Sequence, residues 1–171
     1  MITAFINLKG GSTKSSSAVH LCRYLLAKNQ TVALVDADSQ ATSSTWINNL
    51  ENGIPRPKIY RLTEPDPLLD EIPEIAKSAD HVVVDGAGGL AEVQRTILLL
   101  ADRVFIPIQP SAPDISASHQ AIKAVSRARA IRNGQPSAYT FLSRVVPKTL
   151  LLAEAREVLS AYKDFPLLKP E

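Results

Sequence analysis

Three short stretches of this chain hold the residue types that handling a phosphate anion requires. The first, KGGSTKSS from Lys9 to Ser16, nearly matches the G-x-x-x-x-G-K-[ST] spacing of a phosphate-binding loop. Gly10 and Gly11 let the backbone come close to an anion. The exposed N–H groups of the loop, those of Ser12 and Thr13 included, and the helix start that follows favour phosphate. Lys14 is placed to reach the β- and γ-phosphates of a nucleotide, the Ser15 hydroxyl to bind Mg²⁺, and Ser16 to touch the α-phosphate. The alternative is a flexible turn whose Ser and Thr residues cap a helix. Thr13 stands where the spacing has glycine. If the loop holds that residue at positive φ, its β-branched side chain costs on the order of 1–3 kcal/mol, which binding of a triphosphate with Mg²⁺ offsets.

The second stretch is VDADSQ, at the end of an apolar run. Asp36 and Asp38 are two apart, so in extended chain they share a face. Two carboxylates are costly to hold together without a cation. Beside a triphosphate, one of them can orient an attacking water and the other can bind the metal through water. The third stretch, VVVDGAGG, is an apolar run ending in Asp85, the pattern of a strand that serves Mg²⁺, followed by a glycine turn able to move with the γ-phosphate. Read singly, these two are an acidic turn that starts a helix and a charged strand end. Those bland readings must all hold at once, although the stretches occur in the order one phosphate site needs.

Short β-branched runs alternate with longer helical patterns along the chain. ITAFIN (2–7), TVALVD (31–36), HVVVD (81–85), RVFIPIQ (103–109) and AYTFLS (138–143) read as strands. Residues 14–29, 40–50, 90–101, 114–132 and 149–162 read as helices. Val19, Leu21, Cys22, Leu25 and Leu26 supply the apolar face of the first helix, and Trp46, Ile47 and Leu50 one side of the second. KIYRL offers a short edge strand, and 68–79 a helix interrupted or restarted near Pro73. This β-α-β-α order predicts an α/β fold of three layers, a mostly parallel sheet with helices on both faces, as in P-loop NTPases. Ligands of such sheets sit at the carboxyl ends of the strands, where the three stretches fall. The final DFPLLKPE begins another strand and stops, which leaves open a longer natural chain or a short docked tail.

The 171 residues suit a single domain, 1–171, that continues beyond its C-terminus if the natural chain is longer. With 45% hydrophobic and 21% charged residues the composition argues against disorder. No apolar run approaches the roughly 18 residues of a membrane span. The N-terminus lacks the basic lead of a signal peptide, and the single cysteine, Cys22, fits a reducing compartment and reads as core. Charge is uneven: residues 1–118 hold 10 basic against 13 acidic side chains, and residues 119–171 hold 9 against 4. The basic portion is either a solvated helix face or a weak polyanion-binding surface.

Together these residues resemble the ParA/MinD family of deviant Walker A ATPases. The family pattern K-G-G-x-G-K-[ST] adds a signature lysine in front, here Lys9; its D-x-D-x-Q loop is matched by Asp36, Asp38 and Gln40, and its V-V-D-G-A-G loop by Val83 to Gly88. The stretch IPIQPSAPDISA (106–117) is similar to small ParF-type partition ATPases, with McdA-type positioning ATPases nearby in kind. The resemblance runs to about residue 145. It implies that ATP drives two protomers into a face-to-face homodimer in which Lys9 crosses to the partner's phosphates. Lys9, Lys14 and Asp38 would then be catalytic, with Ser15, Asp36 and Asp85 serving the metal. Arg144 ends a strand near where this family holds adenine, and is either a contact there or ordinary surface. The resemblance further implies a cytoplasmic, nucleoid-associated bacterial protein. Its dimer binds nonspecific DNA and hydrolyses ATP slowly when a ParB-like or adaptor protein stimulates it, moving plasmids, chromosomes or cargo such as carboxysomes. No membrane partner is expected, since the tail shows no amphipathic helix, unless a longer natural chain carries one beyond it. Lys123, Arg127, Arg129 and Arg132, followed by Arg144, Lys148 and Arg156, favour weak backbone contact with DNA. Two other functions compete: a non-hydrolysing nucleotide-dependent scaffold or regulator, which Thr13 favours, and a small-molecule kinase or amidoligase-type enzyme, for which no separate substrate motif is present.

Overall fold

β-branched runs with no polar interruption can be satisfied only inside a sheet covered on both faces, and that is where they lie. The computed structural model describes residues 1–89 and 91–169. In order, the elements are β1 (Ile2–Phe5), α1 (Lys14–Ala27), β2 (Val32–Asp36), α2 (Thr42–Asn48), β3 (Lys58–Arg61), α3 (Pro65–Ser78) and β4 (His81–Asp85). They continue with α4 (Ala91–Leu100), β5 (Arg103–Ile108), α5 (Ala112–Ile131), β6 (Ser137–Leu142), α6 (Leu150–Ser160) and β7 (Leu167–Leu168). Among the described residues the strands form one sheet in the order β3-β2-β4-β1-β5-β6-β7, with every pairing parallel. KIYRL does supply an edge strand, and the closing LL adds a short one at the other edge.

The sheet separates two cores. On one face Ala18, Val19 and Cys22 of α1 and Ile47 of α2 pack against Phe5, Leu34 and Val83. On the other, Leu68 and Ile72 of α3, Val93 and Ile97 of α4, and Ile122 and Val125 of α5 pack against Ala4, Val35, Val84 and Ile106. Cys22 is fully buried, as expected, and burial pushes its thiol up to about 12. The strand order reverses around β1: the chain leaves it for β2 on one side and returns past it to β5 on the other. A crevice therefore opens beyond its carboxyl end.

Two expectations change. Pro73 does not interrupt α3, which runs through it from Pro65. Pro73 lies on the exposed side while Leu68, Ile72 and Ile75 are buried, so the one backbone bond it removes falls where water can replace it and core packing outweighs the loss. The side of α2 buried in the structure carries Ser43, Ser44 and Ile47, whereas Trp46 is 41% exposed and meets His20 edge-on. Leu90, the expected start of the fourth helix, lies outside the described residues.

Candidate functional site

The loop from Leu8 to Thr13 leaves β1 directly into the crevice. It is braced from inside the chain. The Asn7 side chain donates to the Pro107 carbonyl at 2.8 Å and accepts from the Lys9 N–H at 3.1 Å. Gln109 Nε2 donates to the Gly11 carbonyl at 2.6 Å. Gly11 takes φ 73° and Thr13 takes φ 70°, so the β-branched residue sits in the left-handed region that its backbone position demands. No side chain caps the start of α1 and no acid lies in its first turn. Its first N–H groups thus remain available to an anion. A 290 Å³ cavity is lined by Gly10 through Ser16, with Asp38 and Arg144 alongside. The structure therefore gathers nearly every residue expected to hold the nucleotide. Arg144 reaches the cavity from the end of β6 through its own left-handed turn at φ 51°.

Three carboxylates stand behind this cavity in different states. Asp36 and Asp85 end neighbouring strands in register with one another. Asp36 is fully satisfied: its oxygens accept from the Asp38 N–H at 3.2 Å and from the Ser44 N–H and hydroxyl at 2.9 and 2.6 Å. Asp85 is fully buried, and neither of its oxygens has a hydrogen-bond partner among the described residues. Burial pushes its carboxyl from 3.8 up to about 6; the nearby hydroxyls of Ser15 and Ser43 oppose the rise without reaching ordinary hydrogen-bond geometry, and the Asp36 charge adds to it. Asp38 is half-buried, accepting from the Gln40 N–H at 3.0 Å and the Gly88 N–H at 3.4 Å. Lys14 is buried between them, held below its ordinary value by desolvation that Asp85 and Asp38 partly offset. Its Nζ donates to the Lys9 carbonyl at 3.3 Å. An orphaned buried carboxylate beside the Ser15 and Ser43 hydroxyls is a donor set that fits a hydrated divalent cation.

The turn after β4 approaches β1 so closely that a Cβ on Gly86 would lie 2.6 Å from the Phe5 carbonyl oxygen. Only glycine fits there, and its N–H donates to that same oxygen at 3.0 Å. Gln94 ties this turn to the loop from below, donating to the carbonyls of Ala87 and Asn7 at 2.7 and 3.3 Å.

Lys9 lies at the rim. In the single chain it turns back onto α5, where its Nζ meets Asp114 Oδ2 at 2.6 Å; the lysine side chain is 40% exposed and the aspartate 2%. The Ser111 hydroxyl donates to the same oxygen, while Oδ1 of Asp114 is buried without a partner among the described residues. The end of β5 and the first turn of α5 thus bring Gln109 and Asp114 to the site, two residues to which the sequence alone assigns no role. A signal was present: Ser111-x-x-Asp114 is a helix-start pattern directly after a strand end. Thr42 and Ser43, just past the D-x-D-x-Q stretch, were missed for want of any such pattern.

A switch-point crevice, an anion-ready loop and acidic strand ends define an α/β nucleotide-binding domain. The chain belongs to the CobQ/CobB/MinD/ParA nucleotide binding domain family (CbiA), which matches residues 3–163. It is 31% identical over 119 residues to protein virC1 of Rhizobium radiobacter, covering 67% of this chain and 51% of that protein. It is 30% identical over 151 residues to maintenance of carboxysome distribution protein A of Gloeobacter kilaueensis, covering 87% and 65%. The chain thus spans between half and two thirds of the length of these relatives. Its fold superimposes on cobyrinic acid a,c-diamide synthase from Mycobacterium smegmatis with bound ADP and magnesium at a TM-score of 0.80. That match has 14% identity and covers 99% of this chain and 84% of the other. No helix among the described residues is long and apolar enough to cross a membrane.

Proposed function

We propose that this chain is an ATP-dependent partition or positioning ATPase that associates with a second copy of itself across the nucleotide. The observation that supports this reading most is the pair of lysines. Lys14 already occupies the interior of the loop, and Lys9 stands half-exposed at its rim, held by a single ion pair. A second cation there adds little to a phosphate bound in the same chain, but it is well placed to reach one presented by a facing copy. The loop N–H groups and Lys14 hold the triphosphate, Asp38 orients the attacking water, and Arg144 borders the base. Ser15 and Asp85 are the groups that would hold magnesium, which supplies charge neutralisation at the β- and γ-phosphates. Asp36, whose oxygens are already engaged, fixes the turn that carries Asp38. Stabilising the spread phosphoryl charge is the main catalytic task, so a lone chain lacking the second lysine should turn over slowly.

Nonspecific DNA and a ParB-like or adaptor protein complete the reading. The basic helix offers less to DNA than its composition suggests. Arg129 is committed to the Pro136 and Asp164 carbonyls and the Phe165 ring, and Arg132 to the Leu98 and Ala101 carbonyls. Exposed Lys123 and Arg127 of the same helix, with Lys148 and Arg156 beyond it, remain for weak, salt-sensitive backbone contact.

The test is the size of the protein with ATP, with ADP and without nucleotide, for wild type and Lys9→Ala, together with phosphate release with and without DNA. ATP-specific dimers and slow release, both lost in Lys9→Ala, support the reading. Dimers and release that persist in Lys9→Ala sink it. ATP-dependent dimers that never release phosphate point instead to a scaffold.

A further inference from the structure

α4 and α5 pack side by side on the face of the sheet away from α1. The surface between them is not flat. Two cavities, of 270 and 340 Å³, share Arg95, Ala124 and Arg127 and so adjoin one another in a groove along the α4–α5 seam. Its floor is shallow-sided because α5 presents Ala124 and Ala128 there. One end is apolar: Leu99 is 44% exposed and Ile131 is 74% exposed, although both are large hydrophobic side chains. The flanks carry Arg95, Lys123 and Arg127. Among the described residues none of the three makes an ion pair or a side-chain hydrogen bond, in contrast to their neighbours Arg129 and Arg132. Neither cavity is lined by an acidic side chain among the described residues. The inner end closes on Gln94, 2% exposed, whose Oε1 is buried with no partner among the described residues.

We propose that this groove docks an acidic amphipathic helix of a partner protein. Unpaired cations along both flanks ask for carboxylates. The exposed Leu99 and Ile131 ask for apolar side chains at helical spacing, since a groove between two helices accepts a third by its i, i+3 and i+4 positions. α4 has ten residues, about 15 Å of helix, so three turns of partner fill the groove. A phosphate backbone would satisfy the cations alone and leave the apolar end uncovered, which is why the chemistry favours a peptide over DNA. This binding does not depend on the nucleotide cycle proposed above.

The probe is a synthetic helical peptide of about 12 residues with Leu at positions i, i+3, i+4 and i+7 and Glu on both flanks. Its counterparts are the same peptide with Lys for Glu, and a short DNA duplex. Binding to the full chain is read by fluorescence anisotropy for wild type, Arg95→Glu/Arg127→Glu and Leu99→Ser, each checked for an unchanged melting temperature. We expect the Glu peptide to bind, the Lys peptide not to, and the charge-reversed variant to bind the Glu peptide about tenfold more weakly or worse. Leu99→Ser should weaken it severalfold while leaving any DNA binding unchanged. The proposal is overturned if the Glu peptide does not bind, or binds equally to all variants. It is equally overturned if Arg95→Glu/Arg127→Glu abolishes DNA binding and leaves peptide binding intact.

Discussion

Thr13 offers a test whose sign, not only its size, depends on the structure. At φ 70° its Cβ crowds the following carbonyl, a clash worth about 1–2 kcal/mol for an L-residue. Removing the side chain entirely also removes the bond from the Thr13 hydroxyl to the Ser12 carbonyl, at 2.5 Å. Comparing Thr13→Gly with Thr13→Ala cancels that loss, because both lack the hydroxyl. Ala keeps the clash and Gly does not. Gly gives back about 0.5–1 kcal/mol through the greater freedom of its unfolded chain, and where φ is positive the clash is the larger of the two effects. Thr13→Gly should therefore be more stable than Thr13→Ala by roughly 1 kcal/mol, or about 2–4 °C in melting temperature for a chain of this size. Urea unfolding of the nucleotide-free proteins measures it. In an ordinary right-handed backbone the order reverses, with Ala ahead by about 0.4–1 kcal/mol. A more stable Thr13→Ala would refute the left-handed loop and the explanation of Thr13 built on it.

Two further outcomes follow from the site. Asp85, raised from 3.8 to about 6, binds its proton more tightly folded than unfolded. The nucleotide-free protein should thus lose stability between about pH 4 and 6 and level off above, by up to about 3 kcal/mol from this group; Asp85→Asn should lack that loss, and parallel stability–pH curves for the two proteins would contradict it. Gln109→Leu deletes the brace on the Gly11 carbonyl. It should weaken nucleotide binding by titration about three- to tenfold while changing unfolding stability by less than about 1.5 kcal/mol; unchanged affinity would show that the brace does not matter.

The strands were legible because a parallel sheet covered on both faces needs unbroken β-branched runs, and TVALVD and HVVVD have no other use. The three phosphate-handling stretches were legible because glycine, lysine and aspartate at fixed offsets leave few other readings. What stayed hidden depended on distance in space. Nothing near Lys9 in sequence announces Asp114, more than a hundred positions away, and its buried carboxylate looks like any helix-start acid. The same holds for Arg129 and Arg132. A basic helix reads as a charged surface until the carbonyls that two of its arginines serve are in view. Pro73 misled for the opposite reason: a local rule about proline gave way to three buried side chains on the other side of the helix.

The β5–α5 loop and the first turn of α5 grip the phosphate loop at two points, Gln109 on Gly11 and Asp114 on Lys9. The start of α5 and the phosphate loop are therefore one mechanical piece, although they are far apart in sequence. A change early in α5 can shift how the loop presents its N–H groups without touching a nucleotide. Relatives that share every residue of the loop can then differ in turnover through a helix outside it, and comparing loops alone would miss the difference.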